Sequence, residues 1–71
     1  MKLDLHYIFE RDGEFYIGYC PEVPEANGQG YTQEECRRSL EDAIELVMLD
    51  RAEQALVGYP PDAARELVTL K

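Results

Sequence analysis

Tryptophan is absent from this 71-residue chain, histidine occurs once and cysteine twice. Cys20 and Cys36 have no CxxC spacing, and His6 alone cannot complete a zinc-binding set with them, so no metal site is expected. Both thiols are expected to be buried free cysteines, the common state of an unpaired cysteine. Basic residues are also scarce: Lys and Arg number 7 against 15 Asp and Glu, a net charge of −8. Such a surface repels phosphate backbones and anionic lipid and attracts a basic partner, which argues against direct nucleic-acid binding. No apolar run approaches membrane-spanning length, and no basic segment leading into an apolar one opens the chain. No membrane partner is expected, and the cytoplasm is the expected compartment. Length itself is short: one domain of 71 residues buries only about 60% of its unfolded surface. With disulfide and metal discounted, oligomerisation is the remaining support for so thin a core.

What is present has a clear order. Leu3, Leu5, Tyr7 and Phe9 alternate with Asp4 and His6, which predicts a half-buried strand over residues 3–9. Asp12-Gly13 then signals a hairpin into a second strand from Phe15 to Cys20, apolar on both faces and hence central. Pro21 and Pro24 bracket a bend. Residues 26–31 predict a weaker third strand, because Gly28 and Gly30 supply no side chain to pack. Those two glycines lack the further glycine and lysine of a phosphate loop, and the charge around them is negative. Thr32 and Glu35 form a capping-box pattern that starts a helix running to about Val57, where Gly58 and Pro60-Pro61 stop it. Cys36, Leu40, Ala43, Ile44, Val47, Met48 and Ala55 make its core stripe. Arg51 falls within that stripe, so its head must reach solvent or a carboxylate. At about 36 Å the helix outruns strands of roughly 20–25 Å and overhangs the sheet. Residues 65–71 alternate with β-branched character and predict a fourth strand, a short helical end from Asp62 being the alternative. The fold class is α+β in two layers, β-β-β-α-β, an antiparallel-rich sheet with one long helix on one face.

Catalysis finds little support. His6 lies on the polar side of its strand, and Cys20 could serve as a nucleophile only if His6 activated it across the hairpin. Glu22 and Glu25 beside Cys20 oppose a thiolate. Glu41, Asp42 and Glu45 read as a solvated helix face with Arg37 and Arg38 as i,i+4 partners. No enzyme and no cofactor are expected. The acids Glu22, Glu25, Glu41, Asp42 and Glu45 are candidates for contact with a basic partner. Leu46, Leu49 and Leu56 point away from the core stripe and are candidates for contact in a homo-oligomer, dimer or higher.

The segments Tyr19-Cys20-Pro21-Glu22-Val23-Pro24, Gly28 to Cys36, and Leu40-Glu41-Asp42-Ala43-Ile44 resemble the HicB-like antitoxin family. That pattern is an aromatic strand ending in C-P-[DE]-[LV]-P, a G-x-T turn, E-E-A and a helix containing A-I. The resemblance spans residues 3–57. It implies a partial ribonuclease-H-like fold and a non-catalytic protein that neutralises a small basic, RNA-cleaving HicA-type toxin. Glu25 stands where the family usually has Gly, and Cys36 where it has Ala. No C-terminal DNA-binding segment of the family's kind follows, so autorepression is not carried over. An alternative is a protein-interaction module of the same fold without a toxin partner. A third reading, a remnant nuclease, lacks an acidic companion for Asp4, the only acid on the first strand able to turn inward.

Overall fold

The computed structural model describes residues 4–69. Three strands, β1 (Ile8–Asp12), β2 (Phe15–Tyr19) and β3 (Asn27–Gly30), precede one helix, α1 (Gln33–Ala55). The strands form an antiparallel sheet in the order β1-β2-β3, so the aromatic β2 is central, as its two apolar faces predict. Ile8 pairs with Tyr19 and Asp12 with Phe15, while Tyr16 pairs with Gly30 and Tyr19 with Asn27. This is the expected α+β class: a three-stranded antiparallel sheet followed by one long helix.

The predicted first strand is displaced. Leu5, Tyr7 and Phe9 are half-buried while Asp4, His6 and Ile8 are exposed, so the alternation is real. The paired segment nevertheless begins only at Ile8 and continues to Asp12, because β2 ends at Tyr19 and offers residues 4–7 no partner. Leu3 lies outside the described residues. The fourth strand is not formed over residues 65–69, which carry no regular structure and are exposed. The helix carries them beyond the end of the sheet, where there is no edge to join. Residues 70 and 71 of that segment lie outside the described residues.

Helix entry follows the sequence closely. The Thr32 hydroxyl accepts the Glu35 amide at 3.1 Å. The Glu35 carboxylate reaches back one residue further than a capping box does, accepting the Tyr31 amide at 2.9 Å. Glu34 and Glu35 occupy the first turn, where negative charge suits the helix dipole. The helix ends at Ala55 with Leu56 as cap, and Gly58 at φ 91° reverses the chain.

The core is small and rests on an unexpected contributor. Leu40 and Ile44 pack with Cys20, Val23 and Ala26, and Leu5, Tyr7, Ala43 and Val47 close around them. Three of those five buried residues come from the proline-bracketed bend. Val23 donates to the Cys20 carbonyl at 2.9 Å and Ala26 to the Val23 carbonyl at 3.0 Å, making two turns in tandem. Each has proline second, where its fixed φ suits a turn. The bend therefore presents Cys20, Val23 and Ala26 to the helix at intervals of three.

Gly28 and Gly30 have a steric purpose. A Cβ at Gly28 would lie 2.5 Å from the Leu40 amide nitrogen, and one at Gly30 would lie 2.7 Å from that of Cys36. Their lack of a side chain lets α1 lie directly on β3. Cys36 fills the next space across the sheet, its Sγ facing Gly18, and burial pushes its thiol pKa up. Both cysteines are buried and free. Two members of the expected core stripe fall away: Met48 and Ala55 are exposed. A five-residue strand covers about 17 Å, whereas the 23-residue helix covers about 35 Å.

Candidate partner-binding surface

Glu22 and Glu25 occupy the same place in the two tandem turns, each directly after its proline. Both are held from within the chain. Glu22 accepts the His6 backbone amide at 2.7 Å through Oε1 and the His6 ring nitrogen Nδ1 at 2.7 Å through Oε2. An ionised carboxylate only accepts, so Nδ1 carries the proton in this pair. These hydrogen bonds, the backbone one first, hold the Glu22 pKa down at about 2. The Cys20 thiol also points to Glu22 Oε1, at 3.6 Å. The carboxylate thus stands between the two groups that a cysteine–histidine pair would have to join.

Glu25 receives the Arg51 guanidinium. Its pKa is lowered, by backbone hydrogen bonding first and by Arg51 second. The arginine expected to need a carboxylate has found one, and the contact ties the bend to the C-terminal part of α1. The position where the resembling family has glycine is occupied by an acid with an intramolecular partner.

The helix acids are placed differently. Glu41, Asp42 and Glu45 are exposed, and none of them forms an ion pair among the described residues. Their expected partners are engaged elsewhere. Arg38 reaches back to Glu34 at 3.6 Å, and the Arg37 guanidinium lies 6.0 Å from the ring centres of both Tyr7 and Phe9. Glu41 is close enough to contribute, after burial, to raising the Tyr7 pKa. Leu46 and Leu49 on the helix and Leu56 at its cap are exposed.

Sequence reasoning passed over one surface. The register sets Ile8, Glu10, Asp12, Phe15, Ile17, Tyr19, Asn27 and Gln29 on the sheet face turned away from the helix. The signal was available in β2, whose odd-numbered residues Phe15, Ile17 and Tyr19 are aromatic or aliphatic, but apolar character on both faces of the strand does not tell which face stays open. Among the described residues no group of three or more His, Cys, Asp or Glu converges as a metal site. No helix among them is long and apolar enough to cross a membrane.

The arrangement is that of a small α+β domain with acidic and aromatic surfaces outside a compact core. The chain is 42% identical over 72 residues to the UPF0150 protein ssl0738 of Synechocystis sp., with 99% of each chain covered. It belongs to the UPF0150 family. No protein-family model and no solved structure matches it.

Proposed function

We propose that the chain is a non-catalytic, HicB-like antitoxin that binds a small basic RNA-cleaving protein of HicA type and blocks its site. The observation that carries this reading is the exposed acidity: a net charge of −8, with Glu41, Asp42 and Glu45 unpaired among the described residues. Such a surface draws a basic protein by long-range attraction and gives nothing to a nucleic-acid backbone. The motif behind the resemblance adds support, since Cys20-Pro21-Glu22-Val23-Pro24 is a rigid double turn anchored in the core. In this reading Glu22 and Glu25 shape the bend, while the helix acids speed encounter. Self-association through Leu46, Leu49 and Leu56 completes the functional unit, and the partner is met in the cytoplasm.

The experiment is coexpression with the product of the adjacent reading frame, provided that frame specifies a short basic protein with a histidine. The reading expects a co-purifying complex and RNA cleavage that falls as this chain is added. A basic product that cleaves RNA equally well with and without the chain would end it.

A further inference from the structure

We propose that the open face of the sheet is a docking surface for an arginine- or lysine-rich segment of a basic protein, held by Phe15, Tyr19 and Tyr31 with Glu10 and Asp12. This deepens the functional reading above by naming the face that meets the partner. The apolar side chains there are unusually open for a sheet: Ile8 is 45% exposed, Phe15 41%, Tyr19 38% and Tyr31 63%. The Phe15 and Tyr31 rings pack with centres 4.6 Å apart and planes inclined by 31°, which fixes an aromatic platform at one end. Register puts Asp12 opposite Phe15 and Glu10 opposite Ile17, so carboxylates lie beside the platform on the same face.

Charge decides the occupant. No Lys or Arg stands at any paired position of this face. Arg11 pairs with Tyr16 on the other face and covers its ring at 5.2 Å. Arg37, Arg38 and Arg51 belong to the helix, which packs on that other face, and Arg65 lies in the tail beyond it. Aromatic faces flanked by carboxylates and, among the described residues, free of resident cations suit a guanidinium or ammonium group, which stacks on the ring and pairs with the acid. Exposed aromatic side chains are also the residue type that most often anchors protein contacts. A second copy of this chain fits poorly, because the same face brings Glu10 and Asp12 and no paired Lys or Arg to answer them.

The test is a titration of the isotope-labelled full chain with octa-arginine peptide, followed by amide chemical shifts. The largest shifts are expected in residues 8–12 and 15–19 and at Tyr31. The double variant Glu10→Gln/Asp12→Asn keeps the aromatic platform and should weaken binding at least about fivefold. Asp50→Asn/Glu53→Gln removes the same charge on the overhanging helix and should stay within about twofold. Shifts confined to residues 41–45, shifts spread without a site, or equal weakening by both double variants would each overturn the proposal. The peptide needs no toxin, so these results stand apart from the neutralisation assay. A chain that binds octa-arginine on the sheet but protects no RNA would sink the antitoxin reading alone.

Discussion

Glu22 shows how much one exposed carboxylate can organise when the backbone aims two donors at it. Its folded pKa of about 2 lies below the ordinary 4.5. The contribution of the His6 contact is therefore fully present above about pH 4.5 and is lost as pH falls through about 2. Thermal unfolding of the wild type followed from pH 5 to pH 2 should show this acid-sensitive component, and Glu22→Gln should flatten it. Equal slopes in the two proteins would mean that the pairing adds nothing to stability. Arg51→Ala should cost less than about 1 kcal/mol, since both partners of its ion pair are half exposed; urea denaturation measures it. The presence of these acids was visible in the sequence. Their commitment was not, because His6 is sixteen positions from Glu22 and Arg51 twenty-six from Glu25, and no local pattern announces such a pair. Arg51 itself was legible as a group in need of a carboxylate, because it sits on the apolar stripe.

At the scale of elements, the helix start, the hairpin and the central place of β2 follow from capping, turn chemistry and apolar pattern. The bend was the least legible part. Prolines at 21 and 24 mark a loop, and loops are ordinarily solvated; only the interval of three between Cys20, Val23 and Ala26 hinted that one side faces inward. The core stripe was overdrawn for a different reason: periodicity records which residues share a helix face, not how far the sheet beneath extends. Met48 and Ala55 keep the period and lose the cover. The contact between β3 and α1 gives the sharpest test at this scale. Gly28→Ala would drive a methyl into the backbone at Leu40 and Cys36, and should destabilise the chain by about 1–3 kcal/mol. Leu40→Ala, at the fully buried centre, should cost about 2–5 kcal/mol. A whole chain of this length has only roughly 4–11 kcal/mol in hand, so this variant should be largely unfolded at modest urea. A midpoint close to wild type for either would show that the helix does not rest on β3 and the bend as described.

The whole molecule is extended, measuring 54 × 24 × 16 Å with 6165 Å² of accessible surface. A compact chain of 8.2 kDa would expose about 4,500 Å². Much of the difference lies beyond Val47, where every described residue is exposed and where Leu46, Leu49 and Leu56 stand nearby without cover. Sedimentation equilibrium at micromolar concentration should give a mass that is a multiple of 8.2 kDa, and Leu46→Glu/Leu49→Glu should reduce it to one chain. A single-chain mass for the wild type would remove self-association from the account. Net charge was plain in the sequence, but its distribution over two surfaces was not, because the strand register that gathers Glu10 and Asp12 beside the aromatics is a property of pairing.

Neutralisation of a basic ribonuclease is the central claim, and its most direct test is an RNA-cleavage assay on a purified small basic HicA-type ribonuclease as this chain is titrated in. The account predicts that cleavage falls to background near stoichiometric addition, that association slows markedly between low and physiological salt as screening shortens to about 8 Å, and that the chain alone leaves RNA intact with or without magnesium. Undiminished cleavage at excess chain, or cleavage by the chain itself, would contradict it.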